Sequence, residues 1–63
     1  MCLAKAYLEK NGMRELLMEE IAAFETAENK VLLKTLFGDQ KAVSGRLKKV
    51  DFVANAIILE GID

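Results

Sequence analysis

Histidine, proline and tryptophan are absent from the 63 residues, and cysteine occurs once, as Cys2. The lack of histidine removes the commonest transition-metal ligand and the usual general base near neutral pH. A single thiol excludes an intrachain disulfide. A chain of about 60 residues buries only about 60% of the surface its unfolded form exposes. So short a chain therefore gains its stability from closure of a sheet, from a metal or from self-association. An excess of one charge is missing too: nine basic and ten acidic residues give a net charge of −1. Non-specific nucleic-acid binding, which depends on positive charge to displace counterions from phosphates, is disfavoured. No apolar run approaches the ~20 residues of a membrane-spanning helix. The amino terminus lacks the basic segment, apolar run and cleavage site of a secretory signal. One free thiol without an export signal points to the reducing cytoplasm. No Ser–His–Asp or Cys–His set, phosphate-cradling glycine loop or convergent acid–base pair is present, so no enzyme activity is expected.

What is present is apolar: 52% of the residues are hydrophobic, which argues against disorder. Residues 1–63 are expected to form a single small domain, with some apolar surface left for an interface. Cys2–Leu8 alternates as a strand, with Leu3, Lys5 and Tyr7 on one face and Cys2, Ala4, Ala6 and Leu8 on the other. Asn11-Gly12 follows, a dipeptide that tolerates the positive φ angles of a type I′ hairpin turn. Met13–Glu28 is ambiguous. Leu17, Ile21 and Phe24 stand at i, i+4 and i+7 among good helix formers, so local sequence favours an amphipathic helix. Lys30–Phe37 reads as a strand between turn-forming residues. Ala42–Val53 alternates with Val43, Gly45, Leu47, Lys49, Asp51 and Val53 on one side, and Gly45 marks a bend or bulge. Ala54-Asn55 forms a turn before a short apolar strand, Ala56–Glu60. Short strands with regularly spaced turns suggest a small barrel or sandwich.

The opening Met1-Cys2-Leu3-Ala4-Lys5-Ala6-Tyr7 resembles the start of the CooT family of small nickel-binding proteins. So do Leu16–Ile21, Leu36-Phe37-Gly38-Asp39, Gly45–Phe52 and Ile57–Glu60, and the likeness runs nearly end to end. The resemblance implies an all-β fold, a small five-stranded barrel similar to the SH3 and Sm folds. It therefore implies that residues 13–27 form a strand, against their propensity. It also implies a homodimer that binds Ni(II) and assists maturation of carbon monoxide dehydrogenase, with that enzyme or its maturation proteins as partners.

Cys2 is the strong side-chain ligand for a soft or borderline metal in a chain without histidine. Its place in the chain matters. With Met1 retained, the Met1 α-amine, the Cys2 amide nitrogen and the Cys2 thiolate form two fused five-membered chelate rings. Without Met1, the Cys2 amine and thiolate still form one. Planar nitrogen and thiolate donors suit Ni(II) or Cu(II). One chain cannot close such a site with one thiol, so the expectation is one metal per dimer, held by Met1 and Cys2 of two facing chains.

The alternative is an Sm-like RNA-binding or protein-interaction module in which Cys2 only packs, since cysteine is among the most buried residue types. Arg46, Lys48, Lys49 and Phe52 would supply its basic, aromatic face, although acidic residues are plentiful nearby. Asp51 and Glu60 read as solvated strand or turn residues, and Glu19 and Glu20 point to opposite faces of a strand. Tyr7, Phe24, Phe37 and Phe52 read as core or interface aromatics.

Overall fold

In the computed structural model, which describes residues 3–61, the chain forms five strands and no helix. These are β1 (Ala4–Lys10), β2 (Met13–Ala27), β3 (Lys30–Thr35), β4 (Gln40–Asp51) and β5 (Ala56–Gly61). Sequential strands pair antiparallel, and β5 returns to lie parallel to β1, which closes the barrel. This is the five-stranded SH3/Sm-like architecture implied by the family resemblance.

The turns form where the sequence supplies residues tolerant of positive φ. Asn11 and Gly12 take φ of 54° and 78°, as a type I′ turn requires. Asn29 and Asn55 take 62° and 53° at the β2–β3 and β4–β5 connections. In the β3–β4 connection Thr35 acts as an internal cap. Its buried Oγ1 accepts hydrogen bonds from the Phe37 and Asp39 amides at 3.3 and 3.1 Å.

Residues 13–27 are a strand, and the helical spacing there has a specific origin. Between Ala4 and Tyr7, β2 carries extra residues relative to β1: Ala4 faces Ile21, Ala6 faces Met18 and Tyr7 faces Leu16. A further extra residue lies between the pairs Ile21–Thr35 and Ala23–Lys34. Each bulge shifts the side-chain alternation by one position. Met18, Ile21 and Phe24 consequently all reach the core side, three residues apart, and Leu17 packs there as well. A bulged strand thus reproduces the apolar spacing of an amphipathic helix. Glu20, at φ 58°, sits in this bend, and its carbonyl accepts a hydrogen bond from the Leu36 amide at 3.0 Å.

A bulge also corrects the alternation expected for β4. Leu47 pairs with Leu59 but Lys49 pairs with Ile58, so Lys48 is the extra residue. Before it, odd-numbered Val43 and Gly45 are buried; after it, Val50 takes the inner position opposite Ile57. Lys49, Asp51 and Val53 therefore do not share a side with Val43. The strand ends at Asp51, leaving Phe52 and Val53 in the turn.

Each strand contributes to one core cluster: Ala6, Ile21, Val31, Leu33, Val43, Ile57 and Leu59. Ala56–Leu59 is apolar throughout because β5 lies between β1 and β4 and is covered on both faces. Ile57 and Leu59 point into the barrel, whereas Ile58, 3% exposed, is buried on the opposite face beside Tyr7 and Lys49. Gly45 lies where β4 changes partner from β3 to β5. A Cβ there would sit 2.7 Å from the Glu60 carbonyl oxygen, so the chains approach as closely as glycine allows.

Gly45→Ala is therefore expected to destabilise the barrel by about 1–3 kcal/mol, the usual range for overpacking. Gly61→Ala should be nearly neutral, because its Cβ would meet only the flexible Lys10 side chain at 3.4 Å. Urea denaturation of the two variants measures the difference.

Candidate functional site

The start of β1 is one corner of an open end of the barrel. The Lys5 amide donates to the Asn55 carbonyl at 2.9 Å, which ties the entry of β1 to the β4–β5 turn. β2 continues past this point through Ala22, Ala23 and Phe24, and here its partner is β3 alone. Between this stretch of β2 and the β4–β5 turn runs an open, mainly apolar groove of about 160 Å³, walled by Ala4, Ala23, Phe24, Phe52 and Ile57. Phe24 is half-buried, whereas Phe52 is 84% and Val53 96% exposed.

Asp51 is the charged residue among those described that line the groove. Its Oδ1 accepts hydrogen bonds from the Val53 and Ala54 amides at 2.9 and 3.0 Å. Those bonds, the one from Ala54 foremost, hold its carboxyl below the usual carboxylate range. Asp51 is thus a turn residue, as its sequence context suggests.

The opposite end is polar, lined by Glu9, Lys10, Asn11, Gly12, Lys48, Glu60 and Gly61. Glu9 is its centre. One carboxylate oxygen accepts from Lys48 Nζ, and the other from the Arg14 guanidinium at 2.6 Å. Arg14 also lies 6.0 Å from the centre of the Tyr7 ring. The hydrogen bond from Lys48, followed by that from Arg14, lowers the Glu9 carboxyl from 4.5 to about 2. Glu9 in turn raises the Lys48 ammonium above its ordinary value. The Lys48 charge of the basic face considered for RNA is therefore already engaged by a carboxylate.

The sequence-predicted metal ligands Met1 and Cys2 lie outside the described residues. Among the described residues, no group of three or more acidic, cysteine or histidine side chains could hold a metal ion. Glu19 and Glu20 are both exposed and belong to no such group. Tyr7 and Phe24 are half-buried, as core or interface aromatics are expected to be, but Phe37 and Phe52 are 74% and 84% exposed and are not core residues. The groove was not legible beforehand. Its only sequence signal is a Phe-Val pair, Phe52-Val53, placed directly after an Asx-turn residue.

The model of the family described as CO dehydrogenase accessory protein CooT matches residues 1–60. The chain belongs to the CooT family. It is 41% identical, over 97% of its length and 100% of the relative's, to an uncharacterized protein of Methanocaldococcus jannaschii. Its fold is similar to the crystal structure of a protein described as CooT from Carboxydothermus hydrogenoformans, with a TM-score of 0.86 and 29% identity. That match covers 98% of this chain and 100% of the other. The CooT family is thus an accessory-protein family, and the closed barrel is its architecture. Among the described residues, no helix is long and apolar enough to cross a membrane.

The charge pairing predicts a pH signature. A carboxyl lowered on folding contributes stability above its unfolded value, and loses it as pH falls towards the folded value. The difference in melting temperature between the parent and Glu9→Gln should stay constant above about pH 5. It should shrink between pH 4.5 and about 2. Thermal unfolding followed by circular dichroism across that window tests the expectation, and high salt should reduce the effect at every pH because the partners are exposed.

Proposed function

We propose that the protein is a cytoplasmic, homodimeric Ni(II)-binding accessory protein that assists nickel delivery to carbon monoxide dehydrogenase. The observation that carries this reading is the match of the CooT family model to residues 1–60, which includes the Met1-Cys2 start. Nickel is here the cargo. The chemistry of the donors fits it: a thiolate and backbone nitrogens in sequence suit a metal that favours planar nitrogen and sulfur coordination. The lack of histidine in the whole chain leaves Cys2 as the principal soft donor.

In this reading the Cys2 thiolate binds the ion and the nitrogens of Met1 and Cys2 orient it. Two chains each contribute half of the donors. A site divided between subunits is easily opened, because separating or tilting the chains removes half the ligands at once. That property suits a protein whose role is to release a metal to a client. The barrel contributes no donor set of its own among the described residues and serves to hold two amino termini in register.

The test is native mass spectrometry of freshly reduced protein titrated with Ni(II). The expected species is one nickel per two chains, absent in Cys2→Ser while the circular dichroism spectrum is unchanged. Nickel retained at full affinity by Cys2→Ser would overturn the assignment of the ligand.

A further inference from the structure

We infer that the β1–β2 turn is a site of covalent self-modification, at which the Gly12 amide nitrogen attacks the Asn11 side chain and converts it to aspartate and isoaspartate. The reaction requires neither a metal nor a second chain. Asn11, Asn29 and Asn55 all stand in turns and share a positive φ, of 54°, 62° and 53°. What distinguishes them is the residue that follows and the restraint on the peptide between the two. Gly12 follows Asn11, whereas Lys30 and Ala56 follow the others. Glycine has no Cβ to crowd the closing ring, and its wide φ/ψ range lets its nitrogen approach the side chain.

Lys30 and Ala56 are also the first residues of β3 and β5, laddered to Ser44 and Lys5. The Asn29 and Asn55 carbonyls accept hydrogen bonds from the Gly45 and Lys5 amides at 3.0 and 2.9 Å, which fixes both peptide planes. Asn11 and Gly12 are exposed and escape such restraint. Among the described residues, no hydrogen bond engages the Asn11 side chain, the Asn11 carbonyl or the Gly12 nitrogen. The space around them is open, since a Cβ at Gly12 would meet nothing within 4 Å. Nucleophile and electrophile are thus adjacent, uncommitted and on an exposed loop tip, where local opening costs least.

Water is the co-reactant. The Gly12 nitrogen bonds to Asn11 Cγ and gives up its proton, and the Cγ–Nδ2 bond breaks with loss of ammonia. Water then opens the resulting succinimide at either carbonyl. Cleavage at Cγ gives aspartate, and cleavage at the main-chain carbonyl gives isoaspartate. Overall, one amide and one water yield one carboxylate and one ammonium ion, with no change of oxidation state. Either product adds a negative charge to the polar end, which Glu9, Lys10, Lys48 and Glu60 also line. Isoaspartate in addition lengthens the main chain by one carbon. The length of a hairpin loop sets the register of its strands, so the pairings Lys10–Met13 and Glu9–Arg14 are the first to be disturbed.

The test is incubation of the folded protein in mildly alkaline buffer, followed by peptide mapping and by methyl transfer with protein isoaspartyl methyltransferase. Asn11 should convert at least about tenfold faster than Asn29 or Asn55, a barrier difference of about 1.4 kcal/mol. Methyl uptake should fall on the peptide that contains residue 11, and Gly12→Ala should suppress it. A sample unfolded in urea runs alongside. Conversion of Asn11 in urea but not in the folded protein would overturn the inference, because the fold would then protect the turn. Equal rates at the three asparagines in the folded protein would overturn it as well. The deamidated fraction, isolated by anion exchange, should melt below freshly prepared Asn11→Asp, which carries the same charge without the extra carbon. Identical melting of the two would remove the effect on register.

Discussion

Parallel pairing of β1 with β5 is the constraint on which the rest of this small protein depends. It joins Lys5–Glu9 to Ala56–Glu60 and converts an open five-strand meander into a barrel. An open sheet of this length would present two unpaired edges and too little buried area for a stable core. Closure buries Ala6, Ile57 and Leu59 inside and Ile58 on the outside, so one strand is shielded on both faces. It also fixes the entry of β1, where the Lys5 amide is pinned to the Asn55 carbonyl at the end of the β4–β5 turn.

Closing five strands around so small a core forces β2 and β4 to bend, and the bulges are how they do it. β2 serves β1 with its first half and β3 with its second. β4 serves β3 and then β5, changing partners at Gly45. The bends separate two ends of different character. One is a charged rim centred on Glu9, and the other is an apolar groove beside Phe52. The charged rim is well hydrated and resists burial, whereas the apolar groove loses nothing by it.

The proposed site follows a division of labour. In the proposed function, donor chemistry resides in the first two residues of the sequence rather than in the barrel. A metal held between two amino termini needs no preformed cage within one chain, only a reproducible apposition of two. This is a small demand for a 63-residue protein.

The turns, four of the strands, the single thiol and the likeness to the CooT family could be read directly from the residues. Asn11-Gly12, Asn29 and Asn55 carry positive φ for reasons local to their own side chains, and Cys2 stands out in a chain with no histidine. The state of residues 13–27 could not be read locally. Bulges moved Met18, Ile21 and Phe24 to one side and imitated helical spacing, and only the ladders with β1 and β3 distinguish the two. The inversion of β4 at Lys48 and the groove at Phe52 were hidden for the same reason. Sequence by itself determined the turns and the family; tertiary structure decided strand register and which apolar residues stayed exposed. Register depends on hydrogen bonds between residues far apart in the chain, and exposure depends on what those bonds bring alongside.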